Sequence, residues 1–150
     1  MSAPSAESVR VAGAVLAKAR LLDPNITATP ETITAWAEVF EGRAWPTEAA
    51  AAVVEHYAKP WPRRLTPGDV VAYCQAQPPS SSREHAAAFI DRWSEYPFAR
   101  VIESATGIDF PLEVYTTSVT EPARAAEVRS QWLADNREQL IDALMARGGR

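Results

Sequence analysis

The sequence predicts an all-α protein: an N-terminal domain of four helices, a proline- and serine-rich linker, and a C-terminal helical region with a long last helix. Three observations lead there. Apolar residues recur at three- and four-residue spacing along most of the chain, the period of a helix with one buried face. Thr29-Pro30 and Thr66-Pro67, each followed closely by an acid, join a capping hydroxyl to a ring already set for the first helical turn. Gln77 to Ser82, reading Gln-Pro-Pro-Ser-Ser-Ser, is polar and aperiodic. The domains read this way are residues 1–76 and 83–150, joined by 77–82.

Val11, Val15 and Leu22, with Ala12 and Ala19, make one side of a first helix from about Ser5 to Leu22, which Asp23-Pro24-Asn25 ends. Thr29, Pro30 and Glu31 start a second helix with Ile33, Trp36, Ala37 and Phe40 on one face and Gly42 as its C-terminal cap. Trp45-Pro46-Thr47 opens a third, running to about Ala58, with Ala49, Val53 and Tyr57 on one side and Ala50 and Val54 beside them. Lys59-Pro60-Trp61-Pro62 forces a loop, since two prolines so close leave no helix to continue. Thr66-Pro67-Gly68-Asp69 then caps a short fourth helix facing inward through Val70, Tyr73 and Cys74.

Beyond the linker, Ala86, Phe89, Ile90 and Trp93 mark a helix from about Arg83 to Glu95, broken or kinked at Pro97 and resumed as far as Thr106, where Gly107 caps it. Ile108 to Glu121 is read as an extended loop, because Val114, Tyr115, Thr116, Thr117 and Val119 favour strand while no second strand exists to pair with. The last helix runs from Pro122 to about Arg147, with a frayed basic end at Arg147-Gly-Gly-Arg150. No internal repeat is evident.

At 150 residues, 47% apolar and with five tryptophans, the chain can bury a core. Met1 to Ala6 lack the basic and apolar runs of a signal peptide, no stretch has the length of a membrane span, and Cys74 is the one cysteine. These features point to the cytoplasm. The net charge of −4 argues against nucleic acid as the first partner, since phosphate neutralisation usually needs a basic surplus.

The sequence holds no phosphate loop, no dinucleotide fingerprint and no Gly-x-Ser-x-Gly elbow. His56 and His85 do not share a metal-ligand spacing with Cys74, so neither catalysis, cofactor nor metal is expected. His56 is expected on the surface and Cys74 in the core. Two binding features remain. The helix pair around Arg63 and Arg64 has the outline of a helix-turn-helix and could contact nucleic acid. Its connection is longer than such turns, and its second helix offers only Gln75 to a base edge. An ordinary core hairpin is the competing reading. The C-terminal helix carries an apolar stripe including Trp132, Leu140, Ile141 and Leu144, which either docks on its own domain or lies in a partner's groove.

Ala17 to Asp23 (Ala-Lys-Ala-Arg-Leu-Leu-Asp), Thr32 to Phe40 (Thr-Ile-Thr-Ala-Trp-Ala-Glu-Val-Phe), Glu48 to Tyr57 (Glu-Ala-Ala-Ala-Ala-Val-Val-Glu-His-Tyr) and Leu65 to Val71 (Leu-Thr-Pro-Gly-Asp-Val-Val) follow one another in a familiar order. Across Ala12 to Ala76 the chain resembles the small helical phage proteins that load and inhibit the replicative DNA helicase, and related short proteins of actinobacteria and their phages. The resemblance implies a non-enzymatic adaptor in DNA replication, with one helical domain on an initiator or other replication protein and a C-terminal segment on the hexameric helicase. That family ends in a short flexible portion, whereas residues 77–150 here are periodic. The helicase contact therefore does not transfer residue by residue, and Trp132, Leu140, Ile141 and Leu144 are named from amphipathicity alone. Two other functions fit the same pattern: a small DNA-binding regulator using Arg63 and Arg64, and a phage inhibitor of some other host protein.

Overall fold

The computed structural model describes residues 2–94 and 99–148. The described residues form eight α-helices: α1 Ala6–Leu22, α2 Pro30–Phe40, α3 Pro46–Tyr57, α4 Pro67–Ala76, α5 Arg83–Trp93, α6 Ala99–Thr106, α7 Leu112–Thr120 and α8 Pro122–Gly148. They fall into two compact units, Met1–Pro78 and Pro79–Arg150. None is both long and apolar enough to cross a membrane.

In the first unit the helix starts follow their caps. Ser5 Oγ accepts from Ser8 N–H at 3.1 Å, and Thr29 Oγ1 accepts from Thr32 N–H at 3.2 Å. Ser5 also donates its N–H (3.0 Å) and hydroxyl (3.1 Å) to Glu41 Oε2, tying the start of α1 to the end of α2. Hydrogen bonds from Ser8 and Ser5 hold the Glu41 carboxyl below its ordinary pKa. Gly42 leaves α2 at φ +69°, the left-handed conformation that lacks a steric penalty only for glycine. Val15, Leu16, Phe40, Val53, Val70 and Cys74 are among the buried residues of this unit. Burial pushes the Cys74 thiol up, away from the reactive thiolate.

Two expectations in this unit need correction. The buried face of α3 is Glu48, Ala49, Ala52, Val53 and His56, rotated from the side expected, and Val54 is exposed. His56 is buried rather than on the surface, because its Nε2 finds the Arg63 carbonyl at 2.6 Å.

The second unit is built around α8. Ile90, Ile102, Phe110, Val114, Leu133, Leu140, Ile141 and Leu144 form its buried cluster, with Phe89, Trp93 and Trp132 packed against it. Residues expected to be linker are structured. Pro79–Ser81 make a 3₁₀ turn against α5 and α8. Ser82 is buried and caps α5 through His85 N–H at 3.1 Å, and Ser81 Oγ meets His85 Nδ1 at 3.3 Å. The expected break at Pro97 and the end at Gly149-Arg150 lie outside the described residues. Gly107 follows α6 at φ +74°, and Arg147 donates to the Ser104 and Ala105 carbonyls at the end of that helix.

The expected loop over 108–121 contains α7 instead. Strand propensity lost because threonine hydroxyls can bond back to the preceding turn: Thr117 Oγ1 to the Glu113 carbonyl at 2.7 Å, Thr120 Oγ1 to Thr116 at 3.1 Å. Burying Val114 and Phe110 beside α8 outweighs a propensity cost of a few tenths of a kcal/mol per β-branched residue.

Candidate functional site

The residues named from sequence separate into two kinds once placed. Leu140 is 0% exposed, Ile141 1% and Leu144 6%; all three lie in the core of their own unit. Trp132 packs tilted against Phe110, ring centroids 4.5 Å apart. The stripe docks on its own unit, so a partner could reach those three residues only by opening it.

Arg63 and Arg64 are on the surface, and each has an acid. Arg63 donates to Asp69 Oδ1 at 2.5 Å, and Arg64 Nε to Asp23 Oδ2 at 3.4 Å. Gln75, the one side chain of α4 suited to a base edge, donates instead to the Arg43 carbonyl at 3.1 Å. Two of the loop's three positive charges are thereby answered from within the unit, and the helix proposed to read bases carries Asp69 in its first turn.

The feature that sequence reasoning missed stands between those arginines and α3. The segment from Lys59 to Thr66 is held firmly along its second half. His56 grips the Arg63 carbonyl, Leu65 is buried and gives its N–H to Tyr57 Oη at 3.3 Å, and Thr66 N–H meets Asp69 Oδ2 at 2.8 Å. Thr66 Oγ1 in turn accepts from Asp69 N–H at 3.3 Å, completing a capping box. Burial acts to raise the Asp69 carboxyl, but the Thr66 hydrogen bonds and Arg63 outweigh it and hold the group below its ordinary range.

On this pinned base sits Trp61, 97% exposed. Its φ is +53°, a region tryptophan rarely adopts, at a cost of about 1–2 kcal/mol. It also stands before Pro62, which disfavours compact conformations of the preceding residue. A large apolar ring is thus held in water in a strained backbone, with Lys59 beside it and no acidic partner for that lysine among the described residues. Hidden apolar surface stabilises a fold; displayed apolar surface does not. The sequence did carry a signal, in that Pro-Trp-Pro permits no helix face on which the ring could be buried.

His56, His85 and Cys74 are all occupied in structural contacts or buried, and no group of three or more His, Cys, Asp or Glu able to hold a metal occurs among the described residues. No protein-family model, curated protein or solved structure matches the chain.

Proposed function

We propose that this chain is a protein-binding adaptor of the cytoplasm, without catalytic chemistry of its own, and that the loop from Lys59 to Arg64 is its contact. The observation that carries this reading is Trp61, fully displayed on a loop anchored just after it at Arg63 and Leu65. Tryptophan and arginine are the residues most enriched at the energetic centres of protein interfaces. A pre-fixed loop binds without the ordering cost that a mobile one incurs. Backbone strain at an exposed residue does nothing for the fold, and such strain collects at ligand contacts.

The partner to test first is a replicative helicase, on the strength of the sequence resemblance across Ala12 to Ala76. The contact assigned here moves from the C-terminal helix, whose Leu140, Ile141 and Leu144 are core, to the first unit. The test is a titration of the purified full-length chain against the hexameric helicase of its host, in parallel with Trp61→Ala. Binding by the natural chain that weakens about tenfold or more in the variant, with unchanged circular dichroism, supports both parts of the reading. Equal binding by the variant discards the loop as the contact. Absence of binding by the natural chain discards the helicase. Salt-sensitive capture of duplex DNA that is lost in R63A/R64A would favour the regulator reading instead.

A further inference from the structure

Between α1 and α3 the first unit carries a groove of about 270 Å³. Its lining is small and apolar: Val11, Ala14 and Val15 from α1, with Pro46 and Ala50 from α3. Val11 and Val15 are already covered, and Ala14 is exposed. A floor of alanine, valine and proline leaves room for a further helix to approach at the close spacing of helix–helix contacts, about 8–10 Å between axes.

The rim has a sign. Arg10 and Lys18 line the groove from α1, about 12 Å apart along the helix axis. Neither is in an ion pair or side-chain hydrogen bond among the described residues. The one acid at the rim, Glu7, lies in the first turn of α1, where the helix dipole already engages its charge. The opening is therefore apolar below and positive along one wall.

We infer that this groove receives an acidic amphipathic helix of a partner protein, apolar along the face that meets Ala14, Pro46 and Ala50 and carrying carboxylates about two turns apart for Arg10 and Lys18. The inference rests on the protein-binding reading and names a second surface for it, away from Trp61. This chain's own long amphipathic helix is unsuited to the role, since α8 carries as many arginines as carboxylates and its apolar stripe is consumed in its own core. Charge complementarity gives the partner its sign and the small floor gives it its shape.

The test uses the full-length chain and two fluorescein-labelled synthetic helices of about four turns. Both share the same leucine face; one is flanked by glutamates, the other by lysines. Anisotropy at low salt should show the glutamate peptide binding at least about tenfold more tightly, with the gap narrowing as salt screens the charges. R10E/K18E should reverse the preference, and Ala14→Phe, at an exposed position, should abolish binding of either peptide. Near-UV circular dichroism confirms that the variants are folded. Equal binding of the two peptides, no binding of the glutamate peptide, or a preference unmoved by R10E/K18E would overturn the proposal. So would self-association in sedimentation that R10E/K18E abolishes, which would give the groove to a second copy. Trp61→Ala should leave peptide binding unchanged, so failure here is distinguishable from failure of the loop reading.

Discussion

Trp61 and the α8 stripe both set large apolar side chains near charge, and they do opposite things. On α8, Leu140, Ile141 and Leu144 repeat at helical spacing and vanish into the second unit's core. On the α3–α4 loop, Trp61 has no periodic companions, stands between two prolines and is left in water. Periodicity is a record of burial, because a stripe exists to be covered by something. An apolar residue outside any period, on a segment that can form neither helix nor strand, has no such cover. The difference teaches that in a helical protein a candidate contact is better sought at breaks in the pattern than along its strongest stripe.

The largest effect that sharpens this contrast is expected from Leu140→Ala. Loss of a fully buried leucine should cost about 2–5 kcal/mol, read by urea denaturation. A cost under about 0.5 kcal/mol, the range of surface changes, would mean that the stripe is not core and would return α8 to the list of partner surfaces.

A middle-sized effect concerns the base that presents Trp61. Thr66→Ala removes the cap of α4 and should cost about 1 kcal/mol of stability. The natural chain should also show an acid dependence at this point. Asp69 has its pKa lowered in the fold, so its contribution is fully present above the unfolded carboxylate value and is lost as pH falls through the lower folded value. Denaturation midpoints across that acid window should therefore fall more steeply for the natural chain than for Asp69→Asn. Parallel curves would show that the carboxylate does not hold the loop.

The smallest effect is expected from Trp61→Asn. Asparagine tolerates the left-handed region, so stability should be unchanged or rise by up to about 1 kcal/mol in thermal melts. A clear loss of stability would mean that the ring packs somewhere in solution and is not free for a partner.

Much of the fold was legible because its determinants are local. Thr29-Pro30 and Thr66-Pro67 announce α2 and α4 with their own side chains, and Gly42 and Gly107 stand where left-handed backbone is required. What was not legible depends on distant partners. His56 reads as a surface residue until the loop returns the Arg63 carbonyl to it. The threonines of α7 read as strand until α8 offers a surface for Val114. Leu140 and Ile141 show that something covers them, yet amphipathicity does not say whether the cover is their own unit or another protein. Trp61 is obscure for the converse reason: a tryptophan ordinarily belongs to a core, and only its neighbours Pro60 and Pro62 argue otherwise.

The close meeting of Gly148 with Ser80 has a consequence for how the second unit can be handled as a piece of chain. A Cβ at Gly148 would collide with the Ser80 side chain, so the last turn of α8 lies directly against the 3₁₀ turn with which the unit begins. A stretch that starts and finishes at one point is topologically a closed loop cut once. Its ends can be joined by a few residues and reopened elsewhere, or the whole can be spliced into a surface turn of an unrelated host, with little stretching of either backbone.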